Sequence, residues 1–440
     1  MPTRLLKEVF VFLTAIVALI WPMIYNGFPL YFSDSRVYTS VGLRYSGIPI
    51  FFNQIVSPIF NYLSPYLVPI LFALVAYIVI RIFLSQWMEK VSLGNWLLVF
   101  LIIALFTRLP WVTSFIMPDI LGGLGVTALL ILLLETKPIR PQSRFFLLGV
   151  VFLSLLSQTS SLVVFPVVTI GVLLANRLLA GSRIKSGLLL SVTWLIAIFL
   201  VSFDNDQNYG RASLNANGPA IFFAKLVDHG LAQSYLRNNC SSQNVLTICE
   251  YLSEIETLGG RPGSQSFLWE VVGPRNINIA DEVKAFDQNS EEIRALNWDI
   301  VFEYPLQVAK LSLIDSGELF MAKGEILGDS RFWWNHPKWD SKFMEARQQT
   351  GTLLQAPFLI VAQIVHVFSI LGMLLLFFRP STPQQVRILI SAVLIALIAN
   401  ALIHATLVGP YARYQDKVTF IPILALLALW RANFLKKNAN

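Results

Sequence analysis

Three ionisable side chains lie where a long apolar segment first becomes polar: Asp34 in YFSDSRVYTS, Asp119 in MPDILGGLGV and Arg413 in GPYARYQDK. A carboxylate in such a position can accept a proton from a hydroxyl group or bind a divalent cation. A guanidinium can hold a phosphate through paired N–H donors. These residue types therefore suit a substrate that carries a phosphate and an acceptor that carries a hydroxyl group.

Each of the three also has a purely structural interpretation. Asp34 can cap a helix formed by SRVYTSVGLRY, and Asp119 can start the helix that follows Pro118. Arg413 can anchor the chain at a membrane surface together with Tyr411 and Tyr414. Both interpretations stay open at this stage, because capping and chemistry do not exclude each other.

Five further side chains are candidates for binding substrate or phosphate: Arg36, Arg108, His404, Tyr411 and Lys417. His404 lies at the end of an apolar segment, so a buried, hydrogen-bonded histidine is the alternative interpretation. If a metal ion takes part, Asp34 and Asp119 are its expected ligands. The polar turn SQTSS (157–161) joins two apolar segments, and it could line a polar cavity between them.

The composition is that of a polytopic membrane protein. Hydrophobic residues make up 55% of the 440 residues, charged residues make up only 13%, and the mean hydropathy is +0.63. A soluble domain normally carries about a quarter charged residues. The net charge of +7 arises mostly in short loops between apolar segments, which indicates membrane topology and not a nucleic-acid partner.

About ten segments are apolar enough to be spanning helices of about twenty residues. They begin near residues 8, 66, 94, 119, 145, 162, 186, 353, 386 and 418. Lys and Arg are concentrated in every second loop between these segments. This positive-inside pattern predicts that both termini are cytoplasmic, in a multi-pass protein of the inner (plasma) membrane.

The opposite face of the membrane then carries every candidate acid. Asp34 lies in a long first loop, Asp119 ends a short second loop, and Arg413 lies just before the last span. A large polar region, 204–351, lies on the same face. We therefore expect an N-terminal transmembrane module (1–203) with an amphipathic first loop, a mostly helical extracytoplasmic domain (204–351) and a C-terminal transmembrane module (352–440).

The two cysteines of the chain, Cys240 and Cys249, both lie in this extracytoplasmic region. Disulfides form and persist outside the cytosol, so their location favours a bond that closes a small loop. Two unrelated buried thiols are the alternative interpretation.

Sequence motifs for soluble nucleotide or zinc chemistry are absent from the chain. It has no P-loop, no GxSxG elbow, no GxGxxG turn and no His/Cys cluster with zinc spacing. Energy for any reaction would have to come from an activated donor that the membrane can carry.

With these residues in place, the chain resembles the GT-C superfamily of integral-membrane glycosyltransferases. Asp34 matches the acid of the long first outer loop, and Pro118–Asp119 matches the acid of the second outer loop. The stretch ARYQDKVTFIPILALL, beginning at Ala412, resembles the Arg-Tyr and Pro pattern that opens the last span in that superfamily. The resemblance covers the chain to about residue 200 and again after about residue 350. It does not extend to the middle region.

The resemblance implies transfer of a sugar from a polyprenyl-phosphate donor to a glycan, lipid or protein acceptor of the cell envelope. Asp34 would accept the proton of the acceptor hydroxyl, and Arg413, with Lys417, would balance the departing phosphate. Asp119 would orient the reacting groups or help to hold Mg²⁺ or Mn²⁺. Many members carry paired acids in the first loop, whereas this chain has a single carboxylate in SDS. A transporter or flippase of a lipid-linked glycan and a non-catalytic envelope assembly protein are the alternative functions.

Overall fold

The computed structural model of the chain is built from helices. It describes residues 2–32, 34–39, 50–88, 92–180, 187–210, 212–215, 217–240, 247–258, 260, 267–268, 279–321 and 338–430. Within these ranges there is no strand, and the extended pairing is a single parallel bridge between Leu30 and Phe115. The prediction of an all-α polytopic fold is therefore confirmed for the fold class.

Eleven helices lie in the N-terminal part: α1 (Pro2–Leu19), α2 (Trp21–Asn26), α3 (Ser35–Thr39), α4 (Ile50–Pro58), α5 (Leu67–Trp87), α6 (Leu93–Phe106), α7 (Leu109–Ser114), α8 (Asp119–Leu133), α9 (Pro141–Ser157), α10 (Ser161–Ala180) and α11 (Gly187–Tyr209). Five lie in the middle: α12 (Gly218–Asp228), α13 (Leu231–Asn239), α14 (Leu252–Glu256), α15 (Ile279–Glu303) and α16 (Pro305–Phe320). Six follow: α17 (Asp340–Glu345), α18 (Arg347–Thr350), α19 (Ala356–Phe378), α20 (Gln384–Leu407), α21 (Arg413–Asp416) and α22 (Ile421–Trp430).

Five of the described helices are long and apolar enough to cross a membrane: α5, α10, α11, α19 and α20. The apolar helices α6, α8 and α9 are shorter, with 14, 15 and 17 residues. A helix begins within a few residues of each of the ten predicted starts. The structure thus agrees with a membrane environment, while the count of ten spans stays a prediction.

Helix α8 is the centre of the bundle, because all of its residues are buried. It packs between α5, α9 and α10. Its glycines permit this close packing: a Cβ placed at Gly125 would lie 2.5 Å from Cβ of Ser154 and 2.7 Å from Cζ of Phe165. Small residues commonly allow such approach between membrane helices. The result is a helix whose first residue, Asp119, is held rigidly.

The middle region has an apolar core of its own. Phe223, Leu236, Ile255, Ile293 and Ile300 are among its buried members, and they come from α12, α13, α14 and α15. The core arises because apolar residues recur at helical spacing along these amphipathic helices. The predicted disulfide is present in this region, where the Sγ atoms of Cys240 and Cys249 are bonded. This bond connects the end of α13 to the 3₁₀ turn at 247–251.

A buried ammonium joins the middle region to α20. Lys225 of α12 donates to the carbonyl oxygens of Ala405 and Thr406, in the last turn of α20. Its Nζ lies 3.2 Å from Oδ2 of Asp315, and the same oxygen lies 2.9 Å from Nε2 of His229. A cation at a helix C-terminus is stabilised by the unpaired carbonyl groups there. Lys225 therefore ties α12 and α16 to the end of α20.

Candidate functional site

The parallel bridge brings the first two candidate acids to the same side of the bundle. The amide of Leu30 donates to the carbonyl of Ser114 at 2.9 Å, and the amide of Ile116 donates to the carbonyl of Leu30 at 3.1 Å. The chain runs on from these bonds to Asp34 on one side and to Asp119 on the other. Two segments that are far apart in sequence are thereby held in register.

Asp34 and Arg413 form an ion pair in the structure. Nη1 of Arg413 donates to Oδ2 of Asp34 at 2.8 Å, although 379 residues separate them. Nη2 donates to the hydroxyl of Tyr414 at 2.9 Å. The guanidinium also lies over the ring of Phe32, with 4.5 Å between its carbon and the ring centroid. Arg413 is thus fixed from three sides while its side chain remains 21% exposed.

The pocket at this point encloses about 300 Å³, including the open space at its mouth. Its lining combines one acid and one guanidinium with apolar and aromatic side chains: Phe32, Val112, Phe115, Met117, Asp119 and Arg413. Asp34 lies outside this lining and contacts it through its ion pair with Arg413. The lining surface is mainly apolar, with one carboxylate and one guanidinium among its side chains.

Both structural interpretations of the acids also hold. Asp34 directly precedes α3, and its carbonyl accepts the amide of Tyr38 at 3.3 Å, as a helix-capping residue does. Asp119 is the first residue of α8, where a negative charge suits the helix dipole. Both acids therefore serve helix starts, while Asp119 also lines the pocket and Asp34 holds the guanidinium that lines it.

A buried polar chain leads from Asp119 into the bundle. Oδ1 of Asp119 accepts from Nε2 of Gln158 at 3.3 Å, and Oε1 of Gln158 accepts from Nζ of Lys417 at 2.7 Å. Nζ of Lys417 also lies 3.0 Å from Nε2 of His404. Lys417 and His404 are only 2% and 1% exposed. Both were predicted to bind substrate, and the structure places both behind the pocket wall.

Arg108 is also buried and forms an ion pair with a residue that the sequence analysis did not single out. Its Nη1 lies 2.5 Å from Oδ1 of Asp416. Burial raises the pKa of the Asp416 carboxyl to about 7, while the Arg108 guanidinium opposes this rise. The pair connects the turn before α7 to α21, so it supports the backbone that carries Arg413.

Burial also changes the titration of two groups close to the pocket. It lowers the pKa of the Lys417 ammonium to about 7, with Asp119 opposing and Arg413 adding to the effect. It raises the pKa of the Tyr38 phenol well above its ordinary value, and the negative charges of Asp34 and Asp119 add to that rise. Tyr38 is therefore a neutral hydroxyl near both acids.

Two other predicted residues have different positions. Tyr411 packs edge-on against Tyr414, with 6.0 Å between the ring centroids, and burial raises the pKa of its phenol. Arg36 belongs to α3, but its side chain lies outside the described part of the structure. The structure thus brings Asp34, Asp119 and Arg413 together, puts Tyr411 near them, and leaves Arg36 untested.

Sequence reasoning missed three residues that complete the site. Phe32 and Tyr414 contact the guanidinium of Arg413, and Gln158 contacts Asp119. Gln158 lies in the SQTSS turn, whose polarity was the available signal. Tyr414 was interpreted only as a membrane anchor beside Arg413, and Phe32 gave no signal beyond lying near Asp34 in the sequence.

The donor set does not suit a protein-bound divalent cation. Among the described residues no group of three or more His, Cys, Asp or Glu side chains is arranged to hold a metal ion. Asp34 is already bonded to a guanidinium. Mg²⁺ requires about six oxygen ligands. These side chains do not form a metal site by themselves, so no step below depends on a metal ion.

No family model, curated protein or solved structure matches this chain. Its site is interpreted from its own geometry.

Proposed function

We propose that this protein transfers a sugar from a polyprenyl-phosphate donor to a hydroxyl group of an envelope acceptor. The observation that carries the proposal is the pocket itself, in which Arg413 and Asp119 lie beside apolar and aromatic walls, with Asp34 bonded to Arg413. A cation for a phosphate, carboxylates for a proton and an apolar lining for a lipid are the three parts that such a transfer needs. The resemblance to the GT-C superfamily points to the same activity.

Arg413 is the residue proposed to hold the donor phosphate. Its Nε is buried and has no hydrogen-bond partner in the structure. A buried N–H group without an acceptor is unfavourable, and a phosphate oxygen would supply one. The guanidinium is already oriented by Asp34, Tyr414 and Phe32, so little freedom would be lost on binding.

In the proposed reaction, the oxygen of the acceptor hydroxyl attacks the anomeric carbon of the sugar. The bond between that carbon and the phosphate oxygen breaks, and the phosphate leaves with its lipid and the electron pair. The hydroxyl proton passes to one of the two pocket carboxylates, Asp34 or Asp119. Arg413 balances the charge that develops on the phosphate.

The proposed setting is the outer face of the inner (plasma) membrane, with about ten spans and both termini cytoplasmic. The five long apolar helices and the shorter apolar ones support a bilayer location. In this orientation the donor lipid would reach the pocket from the outer leaflet, and the acceptor would arrive from the envelope.

The test begins with envelope glycans and lipids from cells with and without the gene, compared by mass spectrometry. We expect one sugar modification to be lost with the gene and restored by the wild-type protein. A variant that combines Asp34→Asn with Asp119→Asn should restore at least a hundredfold less product, since general-base catalysis usually contributes 10²- to 10⁴-fold. Arg413→Gln should behave similarly.

The matched control is Asp299→Asn, because Asp299 is an exposed acid of α15 in the middle region. It should restore the product fully at an equal membrane protein level. An unchanged glycan profile after deletion, or full product from the double variant, would refute the proposed transferase and leave the transporter and assembly alternatives.

A further inference from the structure

The two pocket acids differ in what holds them. Oδ2 of Asp34 is bonded to a guanidinium that itself belongs to the site. Asp119, which is 6% exposed, accepts its hydrogen bond from a neutral amide, that of Gln158. A carboxylate has two oxygen atoms and about four acceptor positions, so one amide leaves most of the Asp119 lone pairs available. The two acids are therefore suited to different tasks.

We propose that Asp119 is the proton acceptor of the transfer reaction, that Gln158 and Lys417 are positioning residues for it, and that Asp34 positions Arg413. This inference rests on the proposed function and assigns the roles within that same site.

The direction of the Gln158 amide follows from Lys417. In its protonated form Lys417 has three N–H donors and no acceptor, so the amide oxygen must then face it, as it does at 2.7 Å. The amide nitrogen then necessarily faces Asp119 at 3.3 Å. The reverse orientation would bring the amide oxygen against the carboxylate and the amide nitrogen against the ammonium. Lys417 thereby determines that Asp119 receives a donor.

His404, at the far end of this series of hydrogen bonds, fixes the position of the Lys417 ammonium. Nζ of Lys417 lies 3.0 Å from Nε2 of His404, and an ammonium can only donate in this contact. Nε2 is then an acceptor, and the hydrogen of the neutral ring is on Nδ1, which is buried without a hydrogen-bond partner. Lys417 thus has two acceptors on one side of the bundle, Gln158 and His404, and its charge lies behind Asp119.

A glycine makes room for this chain. A Cβ placed at Gly122 would overlap Oε1 of Gln158 and would lie 3.3 Å from Nζ of Lys417. The side chains of Gln158 and Lys417 therefore occupy a space that exists because residue 122 has no side chain. Space kept open in the core of a tightly packed bundle around one ammonium and one amide is consistent with a role beyond packing.

The positioning role has a test that needs no substrate. In purified protein carrying ¹³C-labelled aspartate, the infrared carboxylate band that disappears in Asp119→Asn reports the hydrogen bonding of Asp119. Gln158→Leu and Lys417→Met remove the amide donor and the cation that orients it, and each should shift the frequency of this band.

Ser160→Ala is the matched control, because Ser160 lies in the same turn and its buried hydroxyl has no hydrogen-bond partner. The band should keep its wild-type frequency in this variant. A frequency that stays unchanged in both Gln158→Leu and Lys417→Met would overturn the positioning role, whatever the activity of the protein.

Steady-state kinetics distinguishes the roles of Asp34 and Asp119. The donor is the polyprenyl-phosphate derivative of the sugar that is missing from cells without the gene. Asp119→Asn should lower kcat by roughly 10²- to 10⁴-fold with KM little changed. Asp34→Asn should mainly raise KM for the donor, by roughly ten- to a hundredfold, because Arg413 loses a charged partner. The opposite pattern would overturn the assignment of the acids and leave the transferase in place. Normal kinetics in both variants would refute the transferase itself.

Discussion

Replacing Gly123 by alanine tests the close packing that places Lys417 behind Asp119. In an ordinary helix interior this change stabilises a protein by roughly 0.5–1 kcal/mol, because alanine loses less conformational entropy on folding. At position 123 the added Cβ would overlap the carbonyl oxygen of Lys417 and would lie 2.8 Å from the carbonyl carbon. Real Cβ contacts are rarely closer than 3.4 Å, and the carbonyl oxygen is nearer still than the carbonyl carbon, so the two backbones must separate by more than about 0.6 Å.

Such a displacement is costly because the obstacle is backbone and not the end of a flexible side chain. Overpacking a core usually destabilises by about 1–3 kcal/mol, which exceeds the helix-propensity gain. Gly149→Ala in α9 is the matched control, since a Cβ there would have no atom within 4 Å. The two substitutions should therefore have opposite effects on the free energy of unfolding.

The assay is thermal unfolding of the purified proteins in one detergent, at one protein concentration. Gly149→Ala should unfold at the wild-type temperature or above it, and Gly123→Ala several degrees below it. The infrared band of Asp119 should also move in Gly123→Ala, because Lys417 is displaced with its carbonyl group. If Gly123→Ala were as stable as Gly149→Ala, α8 would not approach residue 417 as closely as described.

Three other predictions concern regions that the first does not reach. Replacing both Cys240 and Cys249 by serine should lower the stability of the middle region by about 2–3 kcal/mol, because the unfolded chain loses the constraint of a closed loop and that loop is short. Alkylation of both thiols in unreduced wild-type protein would contradict the bond. A reporter inserted after Asn217 should be extracytoplasmic, and a cytoplasmic signal would reject the proposed orientation. The pKa of Lys417 is lowered to about 7 in the folded protein. Between about pH 7 and 10 the unfolded chain therefore binds more protons than the folded protein does. The unfolding temperature should thus rise with pH in this window. Lys417→Met should abolish that rise, and an equal rise in the variant would show that another group causes it.

The candidate site could be predicted from sequence only where a charge stands alone in apolar surroundings. Asp34, Asp119 and Arg413 satisfy this condition, and the structure brings Asp119 and Arg413 to one pocket and pairs Asp34 with Arg413. Lys417 satisfies it too, yet its side chain turns away from the pocket toward Gln158 and His404. The direction of a side chain depends on packing between helices, which local sequence does not report.

Long-range pairing was also beyond the sequence. Arg108 and Asp416 form a buried pair across 308 residues, and nothing in either local segment indicates the other. The helical fold class was predictable because apolar composition and helical spacing are local properties. The lengths of individual helices were less so. The apolar segment near residue 94 ends as helix at Phe106, because the chain turns at Thr107 and begins a separate short helix at Leu109.

The contact made by Lys225 has a consequence for how the protein is made. Its acceptors in α20, Ala405 and Thr406, follow it by 180 and 181 residues in the chain. When the ribosome has completed the middle region, this ammonium still lacks the helix end that it finally caps. Its partner Asp315 is available earlier, so the growing chain can neutralise the charge before it can seat the region on the bundle. The capping contact of Lys225 must therefore wait until the end of α20 has been synthesised.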